Sequence, residues 1–414
     1  MLCHCLVLAS TVGLALASPV NRWYHESLGA NYFQTNGFLG NQLVSSYILP
    51  DGTLVAGTAE WTHGNGSAAI NDPSPFENHP DPFLSSGSVI VVGKQVLVTN
   101  AGSNTFSAFD IDPTDPARPM YSNSYPSGYE FPNSLGASPD GKYVCVLNAG
   151  SQNGFICYES SDSGWQHMPT WDRTFGLNLT TPPHGPVGGT PSQITFASDS
   201  SRINVAIKGH LPTDLNNPTG NFTSGAIYAF MVTSDAAGQV TLADKPVVYD
   251  AGLPFGLLED MANPGVFFAP DPSAGYEAFD FAANASVAGT VPNQVAVCWA
   301  AQSNLTNNFY VVDIGGKANI TEIAIDSTTL QGEILSQHSL GTNASGTDVS
   351  IFAPPSMPTE NWMYVNAAAY ESVHAYRITA PGKFSLFQRY RFSDQPKGTV
   401  SSKGFAGQAV YYKA

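Results

Sequence analysis

Positively charged residues are scarce in this sequence. Sixteen lysines and arginines stand against 32 aspartates and glutamates, and the formal net charge is −16. A protein that binds nucleic acid needs clustered lysine and arginine side chains to neutralise the phosphates. The composition therefore argues against a nucleic-acid partner. The acidity is typical of a protein whose net charge keeps it soluble.

Standard catalytic signatures are also missing. The sequence holds no Gly-x-Ser-x-Gly elbow, no phosphate-binding loop, no dinucleotide-binding glycine pattern and no His-Glu-x-x-His motif. No cysteine or histidine spacing is typical of a metal site, so we expect neither a metal nor a cofactor. Any active site must therefore be inferred from where polar residues fall in the fold.

Long hydrophobic runs are absent except near the N-terminus. The run from Leu6 to Ala17 is shorter than the roughly 20 apolar residues that span a bilayer, and Ala15 and Ala17 have the spacing that signal peptidase requires. We predict a signal peptide over 1–18, a single domain over 19–414, and a secreted, extracellular protein without a membrane segment. The alternative is that the run forms a buried N-terminal helix.

Cysteine is scarce too, and only three cysteines follow the predicted signal peptide. Cys145 and Cys157 lie in two short apolar segments on either side of a turn, and antiparallel pairing would place them opposite each other. In an oxidising compartment they would form a cross-strand disulfide, and two free thiols are the alternative. We expect Cys298 to remain a buried thiol.

Seven Asn-x-Ser/Thr sequons, which accept N-linked glycans in secreted proteins, occur along the chain. We expect them on loops or on outward-facing strand positions, because a glycan cannot be packed into a core. The sites are Asn65, Asn178, Asn221, Asn284, Asn304, Asn319 and Asn343.

What the sequence has in abundance is glycine, proline and a repeated strand pattern. Each copy reads as an apolar strand, a turn of small residues, and a second strand that alternates apolar and polar residues. Copies occur at 96–111, 143–158, 203–230, 294–313 and 362–378. Shorter strands precede several copies, and an outer strand follows. Four strands in each unit of roughly 45 to 60 residues are typical of a propeller blade.

The repeats predict an all-β, seven-bladed β-propeller. The tail from Thr399 to Tyr412 would pair with the first blade near Tyr32–Thr35 and close the ring, which removes exposed sheet edges. The alternatives are a six-bladed ring and a pair of β-sandwiches. The seven units centre on residues 30–58, 88–125, 133–175, 190–250, 254–285, 292–340 and 346–392.

Several short motifs resemble the propeller superfamily of lactonases and carboxymuconate cyclases. They are Asn100-Ala-Gly-Ser-Asn104, Phe131-Pro-Asn-Ser134 and Ser138-Pro-Asp-Gly-Lys-Tyr143. Three more resemble the secreted fungal branch known as 3-carboxymuconate cyclases: Thr181-Pro-Pro-His-Gly-Pro186, Ile207-Lys-Gly209 and Val297-Cys-Trp299. The resemblance implies a metal-free enzyme that forms or opens a lactone, a cycloisomerase or a lactone hydrolase, acting on a small anionic or aromatic-derived molecule.

Two other functions stay open at this point. Serine stands at Ser192, where the lactonase branch has a histidine, and this departure together with the sequons favours a non-catalytic secreted glycoprotein that binds a ligand or a host surface. A repurposed isomerase or cyclase of fungal secondary metabolism is the third reading. In each case we expect a monomer with a small-molecule substrate or ligand.

Candidate site residues follow from the predicted blades, whose loops line a central channel. Lys208 would hold an anion, His210 or His184 would transfer a proton, and Glu259 would act beside its neighbouring aspartate as an acid. Candidate substrate-binding residues end inner strands or overhang the channel mouth: Asn100, Asn148, Ser192, Gln193, Glu371 and His374.

Overall fold

Seven antiparallel sheets of four or five strands surround a central channel. The computed structural model describes residues 25–70, 80–184, 188–212, 217, 219–236, 238–315, 319–391 and 401–413. In every sheet except the one that joins the two chain ends, the first strand is innermost, because the inner strands pack against one another around the ring. The predicted signal peptide over 1–18 lies outside the described residues.

Blade 1 joins the two ends of the chain. It contains β1 (Gly29–Gln34), β2 (Gln42–Ile48), β3 (Leu54–Trp61) and the C-terminal strand β30 (Ala406–Tyr412). β30 is the innermost strand and pairs antiparallel with β1, with Gly29 opposite Tyr412. The predicted closure of the ring by the C-terminal strand is therefore confirmed.

Blades 2 to 7 follow in chain order. Blade 2 contains β4 (Val89–Val92), β5 (Gln95–Asn100), β6 (Thr105–Asp110) and β7 (Met120–Pro126). Blade 3 contains β8 (Pro132–Ala137), β9 (Tyr143–Ala149), β10 (Asn153–Ser161), β11 (Gly164–His167) and β12 (Arg173–Thr174). Blade 4 contains β13 (Pro191–Phe196), β14 (Arg202–Ile207), β15 (Gly225–Ser234), β16 (Val240–Leu242) and β17 (Val247–Ala251). Blade 5 contains β18 (Leu258–Glu259), β19 (Val266–Asp271), β20 (Gly275–Asp280) and β21 (Ala285–Thr290). Blade 6 contains β22 (Val297–Gln302), β23 (Phe309–Asp313), β24 (Asn319–Ile325) and β25 (Gly332–Ser339). Blade 7 contains β26 (Gly346–Phe352), β27 (Asn361–Ala367), β28 (Ser372–Ala380) and β29 (Lys383–Arg391). Two 3₁₀ turns, Pro169–Trp171 and Ala368–Tyr370, are the helical elements among these.

The core lies between the blades. Alternating side chains on each strand point toward the next blade, so every neighbouring pair of blades shares a hydrophobic cluster. Between blades 7 and 1, for example, Trp362 and Tyr364 pack with Phe33 and Phe405. Among the described residues, no helix is long and apolar enough to cross a bilayer.

The number of blades and their boundaries agree with the prediction, but one assignment within the blades was wrong. Asn100 and Asn148 lie near the ends of β5 and β9, which are second strands rather than the innermost ones. The short strands that precede each repeat copy, such as β8 and β13, line the channel instead. The repeat pattern is strongest in the second strands because both of their faces are buried, as the fully buried β9 illustrates.

The cysteine and sequon positions are as follows. Cys145 lies opposite Cys157 in the predicted register, and the two form a disulfide. Cys298 is a buried thiol. Six sequon asparagines are exposed: Asn65, Asn178, Asn221, Asn284, Asn304 and Asn343. The side chain of Asn319 lies outside the described part of the structure, and glycan attachment stays a prediction at all seven.

Candidate functional site at the channel axis

The segment before β4 covers one end of the channel. We call this end the upper face; it is where the innermost strands begin. The Ser85 hydroxyl donates to the Asn133 carbonyl at 2.7 Å, the Ser86 N–H donates to the Ser192 carbonyl at 3.0 Å, and the Trp299 indole donates to the Ser85 carbonyl at 3.2 Å. This segment belongs to the long insertion Thr62–Ser88, and its bonds to three blades fix it over the axis.

Lys208 lies beneath this segment. It directly follows β14, its side chain is about 1% exposed, and its ammonium donates to the Leu84 carbonyl. The nitrogen also lies 4.8 Å from the centre of the Phe255 ring, a favourable cation–π geometry. Burying an ammonium costs several kcal/mol unless compensating groups surround it. The structure therefore places the predicted cation inside the molecule rather than at an open mouth.

Asp81 supplies a carboxyl close to Lys208. It is about 4% exposed, and the Leu84 N–H donates to Oδ1 at 2.9 Å. Burial raises the pKa of Asp81 from 3.8 to about 7, although the Lys208 charge opposes the rise. A carboxyl with such a pKa exchanges its proton near neutral pH, as acid–base chemistry requires. Asp81 was not predicted from the sequence. The only signal that the sequence offers for it is its position in the long insertion Thr62–Ser88.

A second buried carboxyl, Asp348, lines a cavity inside the channel. The cavity measures about 270 Å³ and runs along β4 from Gly87 toward Val91. Burial raises the pKa of Asp348 well above its usual value, and the nearby charge of Asp81 raises it further. Two amides complete the polar lining: Gln193, which accepts from the Leu257 N–H at 2.5 Å, and Gln408. Asp348 was also missed, because it lies within β26, a strand that carries no motif.

His210 and Lys208 line another cavity, on the outer side of β14. It measures about 360 Å³ and also includes Asn178 and Tyr228. The His210 backbone pairs with Thr223 through hydrogen bonds of 2.9 and 3.0 Å, which fixes the loop. Its Nδ1 is buried without a partner among the described residues. Two of the four predicted catalytic residues therefore share one cavity, although the Lys208 ammonium faces the channel segment.

His184 and Glu259 contact other segments of the chain than those that surround Lys208. His184 sits in a bridge with Ile70, part of the insertion that reaches the upper face. Glu259 ends β18, and its carboxylate accepts the Ser198 N–H at 2.5 Å and the Gly265 N–H at 2.7 Å. Ser198 belongs to the hairpin after β13, at the lower end of the channel. Glu259 thus ties two turns together at the end opposite Lys208.

The predicted substrate-binding residues divide between channel and structural roles. Gln193 lines the channel cavity. Ser192 is buried and donates to the Pro254 carbonyl at 2.9 Å. Asn100 uses all of its hydrogen-bonding capacity within blades 1 and 2, with Asn41, Thr62, Thr105 and Ser107. Asn148 donates to the Ser127 carbonyl at 2.9 Å. Of these four, Gln193 alone is among the residues that line the channel cavity.

The last two candidates belong to blade 7, one just before β28 and one within it. Glu371 is exposed and turns the chain into β28 with a φ of 48°. His374 lies within β28, the third strand, and is fully buried. Burial, together with the charges of Arg389 and Arg391, lowers the pKa of His374 to about 4. His374 is therefore a neutral residue inside the blade, because third strands lie away from the axis.

No group of three or more histidine, cysteine, aspartate or glutamate side chains within the described ranges is arranged to hold a metal ion. The free thiol of Cys298 lies near Asp81 and Lys208, and burial raises its pKa well above the usual value. A thiol in that state is a poor nucleophile. The chemistry that the axis can support is therefore acid–base and electrostatic chemistry by Asp81, Asp348 and Lys208.

Comparisons with known proteins identify the fold. No protein-family model and no curated protein matches the chain. Among solved structures, the periplasmic gluconolactonase of Pseudomonas aeruginosa matches with a TM-score of 0.60 and 12% identity, over 93% of this chain and 100% of that one. A candidate 6-phosphogluconolactonase from Bacteroides fragilis matches with a TM-score of 0.58 and 12% identity, over 93% and 98% of the chains. At these identities the likeness shows a shared propeller fold.

Proposed function

We propose that this protein is a lactonase-like enzyme that acts on a small anionic lactone at the propeller axis. The observation that carries the proposal is the buried group of Asp81, Asp348 and Lys208 next to a channel cavity. Burying three ionisable side chains is costly, and a strongly perturbed carboxyl that lines a cavity, as Asp348 does, marks a site for chemistry. The lactonase names of the propellers with the same fold support the reaction class.

The proposed reaction is ring opening by water. The water oxygen bonds to the lactone carbonyl carbon, the bond from that carbon to the ring oxygen breaks, and the water gives up one proton to the ionised Asp81 carboxylate. Asp348 in its protonated form donates a proton to the ring oxygen as it becomes a hydroxyl. The positive charge of Lys208 stabilises the negative charge that develops on the carbonyl oxygen. Gln193 and Gln408 orient the substrate.

The motif resemblance extends this proposal to the fungal cyclases. A cyclase would add a carboxylate oxygen of an open substrate across a carbon–carbon double bond and then protonate the neighbouring carbon. Asp348 could supply that proton from the same position. We further propose that the protein acts outside the cell as a monomer, because the sequence predicts a signal peptide and the structure contains a disulfide.

The burial of Lys208 favours one alternative, a ligand-binding protein without catalysis. Its ammonium contacts the Leu84 carbonyl, and residues 81–86 cover the channel end. A binding protein would use the 360 Å³ cavity beside His210 and leave the channel closed. The two functions differ in whether a lactone is converted or only bound.

The test uses the full secreted chain with three probes: glucono-1,5-lactone, its 6-phosphate and 3-carboxymuconate. Ring opening is measured from the release of protons, and ring closure is measured from the loss of diene absorbance. We expect turnover of at least one probe, with losses of about 10²-fold in Asp348→Asn and in Lys208→Met. The matched control is Lys142→Ala, an exposed lysine paired with Glu159 at 3.1 Å, which should keep full activity.

Three outcomes contradict the proposal. Full activity in a folded Asp348→Asn variant refutes the acid assignment, and full activity in Lys208→Met refutes the electrostatic one. If the wild type converts none of the probes but binds one by calorimetry, the binding-protein alternative takes its place.

A further inference from the structure

An open cleft far from the channel lies between the outer strands of blades 1 and 2. It measures about 380 Å³ and is lined by Leu39, Trp61, His63, Asn65 and Tyr121 among others. Leu39 is 99% exposed, Trp61 56% and Tyr121 38%. Exposed large apolar side chains that lie together mark a surface that something else covers.

The aromatic rings of the cleft are held in place by the fold. Trp61 lies against Gly40, where a β-carbon would come within 2.3 Å of the indole ring. The Tyr121 ring packs against the ring of His63 with centroids 4.1 Å apart, and its hydroxyl donates to Ser124 at 3.1 Å. The rings therefore lose little conformational entropy when a ligand binds to them.

Asn65 lies at the rim of the same cleft and begins the sequon Asn65-Gly66-Ser67. Its backbone is fixed on both sides: its N–H donates to the Ser103 hydroxyl at 2.6 Å, and its carbonyl accepts from the Gly102 N–H at 2.9 Å. Its side chain is exposed. A glycan attached here would start from a rigid point directly beside exposed aromatic rings.

We propose that Asn65 carries an N-linked glycan whose first sugar packs against Trp61 and covers the cleft. The proposal rests on the secretory route proposed above. In the attachment step, Nδ2 of Asn65 bonds to the anomeric carbon of an N-acetylglucosamine held by a lipid diphosphate. The bond from that carbon to the diphosphate breaks, and the amide nitrogen gives up one proton.

Tethering is what makes this contact favourable. A free sugar binds an exposed aromatic face weakly, but a covalently attached one has an effective concentration of about millimolar or higher. The apolar C–H face of the sugar ring removes part of the Trp61 surface from water. Glu60 and His63, which also line the cleft, offer polar atoms to the sugar hydroxyl and acetamido groups.

Asn284 provides a matched comparison. It is also an exposed sequon asparagine, but it lies in the tight hairpin between β20 and β21 with a φ of 51°. It lines neither this cleft nor the two cavities near Lys208 and Asp348. A glycan at Asn284 would extend into solvent, so its removal should leave Trp61 unaffected.

The experiment expresses the full chain in a eukaryotic secretory host and measures glycan occupancy at each sequon by mass spectrometry. Hydroxyl-radical labelling then reports the exposure of Trp61, with Tyr370, 39% exposed, as the internal reference. We expect Asn65 to be occupied and Trp61 labelling to rise several-fold in Asn65→Gln but not in Asn284→Gln. Asn65→Gln should also lower the melting temperature by about 1–2 °C, and this loss should shrink in a Trp61→Ala background.

Each contrary result is distinct. If no sequon is occupied, the secretory route is wrong and the inference fails with it. If other sequons are occupied but Asn65 is not, the site assignment alone fails. If Asn65 is occupied but Trp61 labelling does not change in Asn65→Gln, the glycan does not cover the cleft.

Discussion

Glu277 should make the protein less stable at neutral and alkaline pH than in mild acid. It lies on β20, its carboxylate accepts the Gly252 N–H at 3.0 Å, and it faces the buried Asp271. Burial, together with the nearby charge of Asp271, raises the pKa of Glu277 from 4.5 to about 7. The folded state therefore binds this proton more tightly than the unfolded state. The resulting stabilisation is complete below pH 4.5 and is lost as the pH rises through 7.

The magnitude follows from the two pKa values. At about 1.4 kcal/mol for each tenfold change, the rise from 4.5 to about 7 corresponds to about 3 kcal/mol of unfolding free energy. Glu277→Gln carries no charge at any pH, keeps an oxygen for the Gly252 N–H and gains an amide that can donate to Asp271. The variant should exceed the wild type by about 2–3 kcal/mol at pH 8, which is about 3 °C in melting temperature for a chain of this length.

Thermal melts of both proteins at pH 4 and pH 8 test this reasoning. The control is Glu159→Gln, whose exposed carboxylate pairs with Lys142 at 3.1 Å and should contribute less than about 0.5 kcal/mol. The wild type and Glu277→Gln should have the same melting temperature at pH 4 and different melting temperatures at pH 8. An equal difference at both pH values, or none at pH 8, refutes the reasoning, because only a titrating group gives a pH-dependent gain.

Two further predictions concern the covalent and topological closures of the fold. Replacing both Cys145 and Cys157 by alanine should lower the unfolding free energy by about 2–3 kcal/mol, since the disulfide closes a short loop of the unfolded chain. Urea denaturation measures this loss, and an unchanged midpoint would contradict the prediction. Ending the chain before β30 should expose the β1 edge and abolish the cooperative thermal transition; a truncated protein that melts as the full chain does would show that blade 1 does not need its inner strand.

The architecture could be predicted because its signals are local. Each hairpin is specified by alternating residues and a turn between them, as in Tyr143–Ala149 and Asn153–Ser161, and the register that brings Cys145 opposite Cys157 follows from one short turn. Ring closure followed from a leftover strand at the C-terminus that needed a partner. These inferences do not require knowledge of which residues meet over long distances.

The site was only partly predictable because it is assembled from distant segments. Lys208 was recognised as unusual, but its neighbours Leu84 and Asp81 precede it by more than a hundred residues. His374 was misplaced because a repeat pattern does not say which of its strands is innermost, and third strands lie away from the axis. The repeat copies that looked most regular belong to strands buried on both sides, whereas the channel strands carry weaker patterns.

The pairing of β30 with β1 has a consequence for the order in which the protein can be made. Gly29 meets Tyr412, so blade 1 lacks its inner strand until about 380 further residues have been synthesised. At about 5–20 residues per second this delay lasts about 20–75 s. During that time β1 presents an unpaired edge to other nascent chains and to the protein's own incomplete blades. A cell that makes this protein must therefore keep its first blade from mispairing for the whole of translation.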